Sequence, residues 1–226
     1  MEKTPDGLNT TEWHMKQQWD TFWTAQENRQ IKSVSWSKRR IINVLGKYVR
    51  NGMPVMDAGC GTGFFSSYFL SKKCSVYSLD YSQKALEITM SMTEGKSTAY
   101  INKDLLDENL PAEYSQAFDI IFSDGLFEHF PAEEQQRIMR VFMVMKARQG
   151  VIITFVPNRY SFWTVIRPLL MPGIKEKPFT LKSLTPMIEQ SGQSIIETGG
   201  INVLPTKYSP EYFGANFGML VYAVSR

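Results

Sequence analysis

The sequence has little cysteine, little histidine and no long apolar run. Its 226 residues include 2 cysteines and 2 histidines, which excludes a disulfide framework and leaves too few ligands for a typical structural zinc site. No stretch approaches the roughly 18 apolar residues of a membrane-spanning helix, and the N-terminus lacks the apolar segment of a secretory signal. These absences predict a protein of the reducing cytoplasm without a transmembrane segment.

The chain also lacks a strong charge of either sign. Lysine plus arginine numbers 25 against 22 acids, a net charge of +3, which does not indicate nucleic acid as a partner. Hydrophobic residues make up 43% and charged residues 21%, near globular averages. With no repeat, low-complexity tract or linker in the sequence, we expect one domain over residues 1–226.

Two helices are predicted before the first strand. The first, from Glu12 to about Lys32, carries apolar residues at i, i+4, i+7 and i+8, namely Met15, Trp19, Phe22 and Trp23. The second runs from Trp36 to Arg50 and is followed by an Asn-Gly stop signal. We interpret residues 1–50 as an N-terminal helical cap on a core of residues 51–226.

Strand and helix patterns alternate through that core. Strands are predicted at Pro54–Asp57, Ser75–Asp80, Thr98–Asn102, Phe118–Ser123, Gly150–Val156, Ser194–Thr198 and Met219–Val224. Helices are predicted at Thr62–Leu70, Gln83–Thr93, Pro131–Ala147 and Thr180–Gln190. This alternation indicates an α/β fold with a seven-stranded, mostly parallel sheet. No helix pattern separates the last two strands, which favours an antiparallel last strand.

Two long segments do not follow this alternation. Pro157–Pro178 holds four prolines and many large apolar residues, including one of the five tryptophans. Gly199–Gly218 is rich in glycine, proline, tyrosine and phenylalanine. Connections of this length are usually lids or binding loops. We therefore expect a lid insertion at about residues 157–180.

A glycine-rich turn, Asp57-Ala58-Gly59-Cys60-Gly61-Thr62-Gly63, joins the first core strand to its helix. In an open α/β sheet this is the usual place for a nucleotide-type ligand. A dinucleotide fingerprint needs glycine where Phe64 stands. The Asp57 carboxylate would repel a pyrophosphate and suit a ligand that carries an ammonium and a sulfonium. Charge complementarity favours S-adenosylmethionine over NAD and disfavours a dehydrogenase.

This turn resembles motif I of class I S-adenosylmethionine-dependent methyltransferases, and the resemblance extends over about residues 53–156. It implies a Rossmann-like, doubly wound sheet. It also implies cofactor contacts, from the turn (Asp57, Gly59, Cys60, Gly61, Gly63), to the ribose (Asp80), around the adenine (Tyr81, Asp104, Leu105) and near the methionine moiety (Ser123). Two of these have structural interpretations as well: Asp80 as a helix N-cap and Asp104 as a solvated loop acid.

The acceptor side is marked by Phe127-Glu128-His129-Phe130, which is similar to a stretch of cyclopropane fatty-acid synthases. The unperturbed pKa of histidine suits a general base at neutral pH, so His129 is the candidate base. Glu128 is the candidate group that orients an ammonium or a hydroxyl. A loop-anchoring hydrogen bond is the alternative role of His129. No metal is expected.

The leading hypothesis is a methyltransferase acting on a small acceptor. Four of the five tryptophans lie in the first 36 residues, which favours an apolar or aromatic acceptor pocket. One alternative is methylation of a lipid or quinone at a membrane surface by peripheral contact. Another is a cofactor-binding regulatory protein without turnover. The identity of the acceptor, the atom methylated and the oligomeric state stay open.

Overall fold

The computed structural model describes residues 10–27, 34–162, 164–165 and 176–226. In these ranges the helices are α1 (Thr10–Glu27), α2 (Trp36–Leu45), α3 (Phe64–Ser71), α4 (Gln83–Met92), α5 (Leu110–Glu113), α6 (Ala132–Met145), α7 (Leu181–Glu189) and α8 (Gly214–Phe217). The strands are β1 (Pro54–Ala58), β2 (Ser75–Asp80), β3 (Ala99–Asn102), β4 (Phe118–Asp124), β5 (Lys146–Pro157), β6 (Ile195–Ile201) and β7 (Leu220–Ser225). Two 3-10 turns cover Phe127–His129 and Glu211–Phe213.

The strands form one seven-stranded sheet in the order β3-β2-β1-β4-β5-β7-β6. The pairs β1–β2, β1–β4, β2–β3 and β4–β5 are parallel, whereas β7 runs antiparallel to both of its neighbours. The predicted Rossmann-like α/β fold with an antiparallel last strand is confirmed. The order reverses direction at β1 and β4, which is where ligands bind in open α/β sheets.

Most predicted strands and helices lie within two residues of their predicted bounds, with three exceptions: α2, β5 and β6, the last of which ends at Ile201 rather than Thr198. The predicted end of the first helix, Lys32, lies outside the described residues. Helix α2 ends at Leu45 rather than Arg50. The chain continues there as turns with hydrogen bonds that span three residues instead of four, such as Lys47 N–H to the Val44 carbonyl at 3.1 Å. Strand β5 begins at Lys146 rather than Gly150, with a register shift between Phe118 and Ile120 of β4.

Apolar cores fill both faces of the sheet. One core includes Met56, Phe118 and Phe142 together with residues of α7. The other joins α2 and α3 to the opposite face through residues such as Leu45 and Phe69. Neighbouring residues of one strand point into different cores, so the central strands are almost continuously apolar. No helix in the described ranges has the length and apolar character to cross a bilayer.

Helix α1 lies outside both cores and packs over α4. The Asp20 carboxylate accepts hydrogen bonds from the Ser82 hydroxyl and from the Lys84 N–H at the start of α4. Trp19, Phe22 and Trp23 contact one another on one side of α1, with ring centroids 5.0–6.3 Å apart. The side chain of Met15 lies outside the described ones. The division into a cap of residues 1–50 and a core stays a prediction.

The two long connections were expected to be lids or binding loops. Residues 163 and 166–175 of the predicted lid, with Trp163, lie outside the described residues. The connection after β6 contains a 3-10 turn and α8, which packs on β6 by direct backbone contact. A Cβ built at Gly200 would lie 1.9 Å from the Gly214 carbonyl oxygen, and one built at Gly218 would lie 2.6 Å from the Ile201 carbonyl oxygen. Glycine is therefore required where β6 and α8 meet.

Replacing Gly200 by alanine should destabilise the protein by about 2–4 kcal/mol, because the new methyl group would force α8 away from the sheet. Gly95 is the matched control, since it has φ +68° and open space around a built Cβ. Gly95→Ala should cost only about 1 kcal/mol through its backbone conformation. Urea unfolding of both variants measures the difference, and equal losses would contradict this account of the crossing.

Candidate active site

The glycine turn between β1 and α3 is shaped by backbone conformation and by close packing. Gly59, Gly61 and Gly63 have φ values of +73°, +52° and +73°, which favour glycine. A Cβ built at Gly61 would lie 2.8 Å from the Trp23 ring, and one built at Gly63 would lie 2.8 Å from the Thr89 Cα. The turn is enclosed by α1 on one side and α4 on the other.

Asp80, at the end of β2, is bonded directly to this turn. Its carboxylate accepts from the Gly61 N–H at 3.0 Å and from the Ser82 N–H at 2.9 Å, and its side chain is buried. Burial raises the pKa of Asp80 to about 6, although these N–H donors lower it. The N-cap of α4 is Ser82, whose hydroxyl accepts from the Ala85 N–H. The N-cap interpretation of Asp80 is therefore wrong.

The Asp57 side chain is more deeply buried than its position beside the glycine turn suggests. Its side chain is 2% exposed and accepts from the Ser66 hydroxyl at 2.6 Å. A line of hydroxyl groups continues to Ser78 and Ser97 at 2.9 and 3.1 Å. Burial raises the pKa of Asp57 to about 7, Ser66 lowers it, and other carboxylates of the site raise it further. The Asp57 carboxylate is therefore buried against Ser66 of α3.

Asp124, at the end of β4, is a third carboxylate of this edge that the sequence analysis missed. Burial raises its pKa to about 7, while the Lys38 ammonium lowers it. Lys38 comes from α2 and lies over the Phe64 ring, 4.2 Å from its centroid. Burial lowers the pKa of Lys38, and Asp124 opposes that shift. The sequence signal that could have identified Asp124 is an acidic residue at the carboxyl end of a central strand, next to the point where the strand order reverses.

The residues expected around the adenine lie beyond β2 and β3. The Asp104 carboxylate accepts from the Leu106 N–H at 2.8 Å and is half-buried. Leu105 beside it is buried. The Tyr81 carbonyl accepts from the Asn102 amide at 3.0 Å, which joins the ends of these two strands. Asp104 thus stabilises its own turn, and it is not simply a solvated loop acid.

Cys60 and Ser123 are both buried. The Cys60 Sγ lies 3.4 Å from the Thr89 hydroxyl, so it helps to hold the turn against α4. Burial raises the pKa of the Cys60 thiol well above its usual value. The Ser123 hydroxyl donates to Thr154 of β5 at 3.2 Å. Ser123 therefore braces two central strands.

The acceptor-side candidates lie in the 3-10 turn just after β4. Glu128 is 3% exposed, and His129 Nε2 lies 3.9 Å from Glu128 Oε1. Glu176, which the sequence analysis missed, brings its Oε1 to the same distance from His129 Nε2. The Lys177 N–H donates to the Glu128 carbonyl at 2.8 Å and fixes the segment that carries Glu176. One ligand atom from each of the three side chains lies within 4.8 Å of the others.

Helix α1 connects the two halves of the site. Trp23 lies against Gly61, as described above, and Trp19 contacts the His129 ring edge-to-face with centroids 4.8 Å apart. Both tryptophans are half-buried. The aromatic stripe of α1 therefore forms a wall that runs from the glycine turn to the imidazole.

Comparisons with known proteins identify the proteins that this chain resembles. Residues 55–150 match the family described as Methyltransferase domain. The ubiquinone biosynthesis O-methyltransferase of Proteus mirabilis is 33% identical over 82 residues, 35% of this chain and 33% of that protein. The protein of the same name from Leptothrix cholodnii is 26% identical over 82 residues, 36% and 35% of the two chains. The match spans about one third of the length of these curated relatives.

Solved structures agree with the fold over almost the whole chain. A SAM-dependent methyltransferase from Archaeoglobus fulgidus has a TM-score of 0.69 at 15% identity, covering 90% of this chain and 98% of that one. The magnesium protoporphyrin IX methyltransferase of Synechocystis, solved with bound SAH, has a TM-score of 0.67 at 16% identity, covering 95% and 98%. Residues 55–150 therefore resemble the methyltransferase domain, and the chain as a whole has the Rossmann-like fold of these solved methyltransferase structures.

Proposed function

We propose that this chain transfers a methyl group from S-adenosylmethionine to a small apolar or aromatic acceptor. Asp80 carries the proposal. Its buried carboxylate is held at the carboxyl end of β2 by two backbone N–H groups, one of them from the glycine turn. A carboxylate has acceptor sites left for the two hydroxyls of a ribose. This pairing of a ribose acceptor with a glycine turn fits an adenosine-containing cofactor.

The charges of the site fit this cofactor better than a dinucleotide. Asp57, Asp80 and Asp124 all have pKa values raised by burial, so the pocket favours a cation and repels a pyrophosphate. When bound, S-adenosylmethionine supplies a methyl group on a positively charged sulfur. The holding residues would be those of the turn (Asp57, Gly59, Cys60, Gly61, Gly63), with Asp80 at the ribose, Tyr81, Asp104 and Leu105 at the adenine, and Ser123 behind the methionine moiety.

His129 is the proposed general base for an acceptor hydroxyl or amine. It lies beside the aromatic wall of α1 and within 3.9 Å of two carboxylate oxygens. Its imidazole would take the acceptor proton, while Glu128 and Glu176 stabilise the imidazolium that forms. The names of the curated relatives, which describe an O-methyltransferase of ubiquinone biosynthesis, support an apolar acceptor with a hydroxyl group.

A lipid or quinone acceptor at a membrane surface is the second candidate function. The names of the curated relatives favour it, as do exposed aromatic side chains such as Phe162 and Phe217. Release of S-adenosylhomocysteine on addition of a soluble phenol or of a vesicle-borne one separates the two candidates. A chain that binds the cofactor and releases no product with either would be a regulatory binding protein.

Asp80→Ala should weaken the binding of S-adenosylhomocysteine by roughly 1.5–3 kcal/mol, because charge-assisted hydrogen bonds to the ribose are lost. Calorimetry measures the affinity. Glu94→Ala is the matched control, since it removes an exposed carboxylate at the far end of α4 and should leave the affinity unchanged. Unchanged binding in folded Asp80→Ala, or tighter binding of NAD than of S-adenosylhomocysteine, would contradict the cofactor assignment.

Binding of S-adenosylmethionine should release protons near neutral pH, and its affinity should rise from about pH 5 to about pH 8. The pKa values of Asp57 and Asp124 are raised to about 7 and that of Asp80 to about 6, and a nearby cation favours their charged forms. Calorimetry in two buffers of different ionisation enthalpy measures the protons. S-Adenosylhomocysteine, which lacks the sulfonium charge, should release fewer, and equal release from both ligands would argue against this electrostatic role.

The same shifts set the sign of the pH dependence of folding. A carboxyl group whose pKa is about 3.9 in the unfolded chain and higher in the folded protein stabilises the folded state. This contribution to the free energy of unfolding is fully present below about pH 3.9. The contribution is lost as the pH rises through the folded pKa of about 6 to 7. Without cofactor, Asp57→Asn should therefore lose less stability than the wild type as the pH rises toward about 8. Thermal unfolding at several pH values measures the difference.

His129→Ala should lower turnover by about 10²–10⁴ and leave cofactor affinity nearly intact. The acid limb of the rate–pH profile should vanish, because the group whose protonation stops the reaction is gone. Glu176→Gln should keep turnover at high pH and move the acid limb to lower pH, since a nearby carboxylate favours the imidazolium. A parallel fall of cofactor affinity and thermal stability in His129→Ala would instead indicate the loop-anchoring role.

A further inference from the structure

Large apolar side chains are exposed at one end of the molecule. Two loops carry them, the one after β5 and the one after β6. We call the set the apolar rim, and it consists of Tyr160, Phe162, Val165, Leu204, Tyr208, Tyr212, Phe213 and Phe217. Phe162 is 74% exposed and Tyr212 is 92% exposed. Single exposed apolar residues need no explanation, whereas eight of them gathered on two loops indicate an interaction surface.

The topology places both loops at the edge of the sheet that carries the candidate active site. Strand β5 ends at Pro157 and β6 ends at Ile201, and both residues pair with Leu220 at the start of the antiparallel β7. The Asn158 amide donates to the Asn216 carbonyl at 3.1 Å, which joins the two loops directly. Because β1, β2 and β4 are parallel to β5, the glycine turn and His129 leave the sheet at this same edge.

The backbone of the second loop is held so that its aromatic side chains face outward. Gly214 and Gly218 pack on β6 by backbone contact, while Phe213 and Phe217, also four residues apart, are exposed. The Arg40 guanidinium donates to the Thr206 carbonyl and pairs with Glu211 at 2.7 Å. The exposure of the rim is therefore built into the packing of α8 and α2.

Charge around the rim favours an anionic partner. Arg159, Lys177 and Lys207 are exposed beside it, and the Lys207 ammonium lies 4.7 Å from the centroid of the Tyr208 ring. The described parts of the two loops, 158–162, 164–165, 176–180 and 202–218, contain two acids. Glu211 pairs with Arg40, and Glu176 is directed at His129 with its side chain 8% exposed. Aromatic side chains mixed with lysine and arginine are typical of surfaces that bind the headgroup region of anionic membranes.

We propose that the apolar rim docks this protein on an anionic phospholipid surface, with the edge that carries the candidate active site turned toward the bilayer. Docking itself depends only on the rim and its basic neighbours. It deepens the proposed function in one respect, and there it rests on that function: an apolar acceptor would enter the site from the lipid rather than from water.

Flotation of the full chain with vesicles, without cofactor or acceptor, tests the docking. We expect binding to vesicles of phosphatidylcholine with about one third phosphatidylglycerol, weak binding to phosphatidylcholine alone, and loss of binding as salt rises. Phe162→Ser and Phe217→Ser should each reduce partitioning about tenfold. Lys207→Gln should reduce it about fivefold. Met90→Ser, at an exposed apolar residue of α4, is the matched control and should float like the wild type.

Three results would overturn the proposal. The first is no flotation with anionic vesicles, and the second is equal flotation of the rim variants and Met90→Ser. The third is self-association abolished by Phe162→Ser and Phe217→Ser without vesicle binding, which would make the rim a contact between copies. Circular dichroism and binding of S-adenosylhomocysteine check the folding of each variant. Failure to float leaves cofactor binding and turnover intact, so the outcome is distinct from failure of the proposed methyl transfer.

Discussion

Burial of carboxylates at the carboxyl edge of the parallel strands is the constraint on which the rest of the site depends. Removing a charged group from water is costly unless hydrogen bonds or counter-charges replace the lost hydration. The fold offsets part of that cost with the Ser66 hydroxyl at Asp57, two N–H groups at Asp80 and the Lys38 ammonium near Asp124. The remaining cost is visible in their raised pKa values. A cationic ligand lowers that remaining energy, which links the stability of the site to its selectivity.

Helix α1 contacts both the carboxylate side of the site and the acceptor side. Its Asp20 accepts from the Ser82 hydroxyl and, as a further negative charge, raises the pKa of Asp80. Trp23, about one turn after Asp20, lies on the Gly61 backbone, and Trp19, directly before Asp20, lies on the His129 ring. A change in the position of α1 would therefore alter the glycine turn, the Asp80 carboxylate and the candidate base together.

The fold was predictable from sequence because period-2 and period-3.6 patterns follow from which faces are buried. The turn from Gly59 to Gly63 was predictable because its positive φ values restrict the residue type. The orientation of Asp57 was not, since a strand buried on both faces has no polar side to indicate direction. Glu176 and Lys38 also escaped prediction, because each reaches the site from an element distant in sequence. The close backbone contact between β6 and α8 was not predicted, because in the sequence the glycines of this segment resemble ordinary loop residues.

The strand order separates the two tasks that the proposed reaction requires. Strands β1, β2 and β4, on one side of the sheet, end near the buried Asp57 and Asp80, the half-buried Asp124 and the glycine turn. In the proposed reaction, charge on this side selects the cofactor. Strands β5 and β6, on the other side, end in the loops of the apolar rim, whose exposed aromatic side chains are the proposed contact with lipid. His129 follows β4 at the boundary between these two regions, and Lys177 fixes the neighbouring segment to it. Since the rim loops and the glycine turn leave one edge of a single sheet at different strands, we expect changes in the rim to leave the carboxylates of the proposed cofactor site undisturbed.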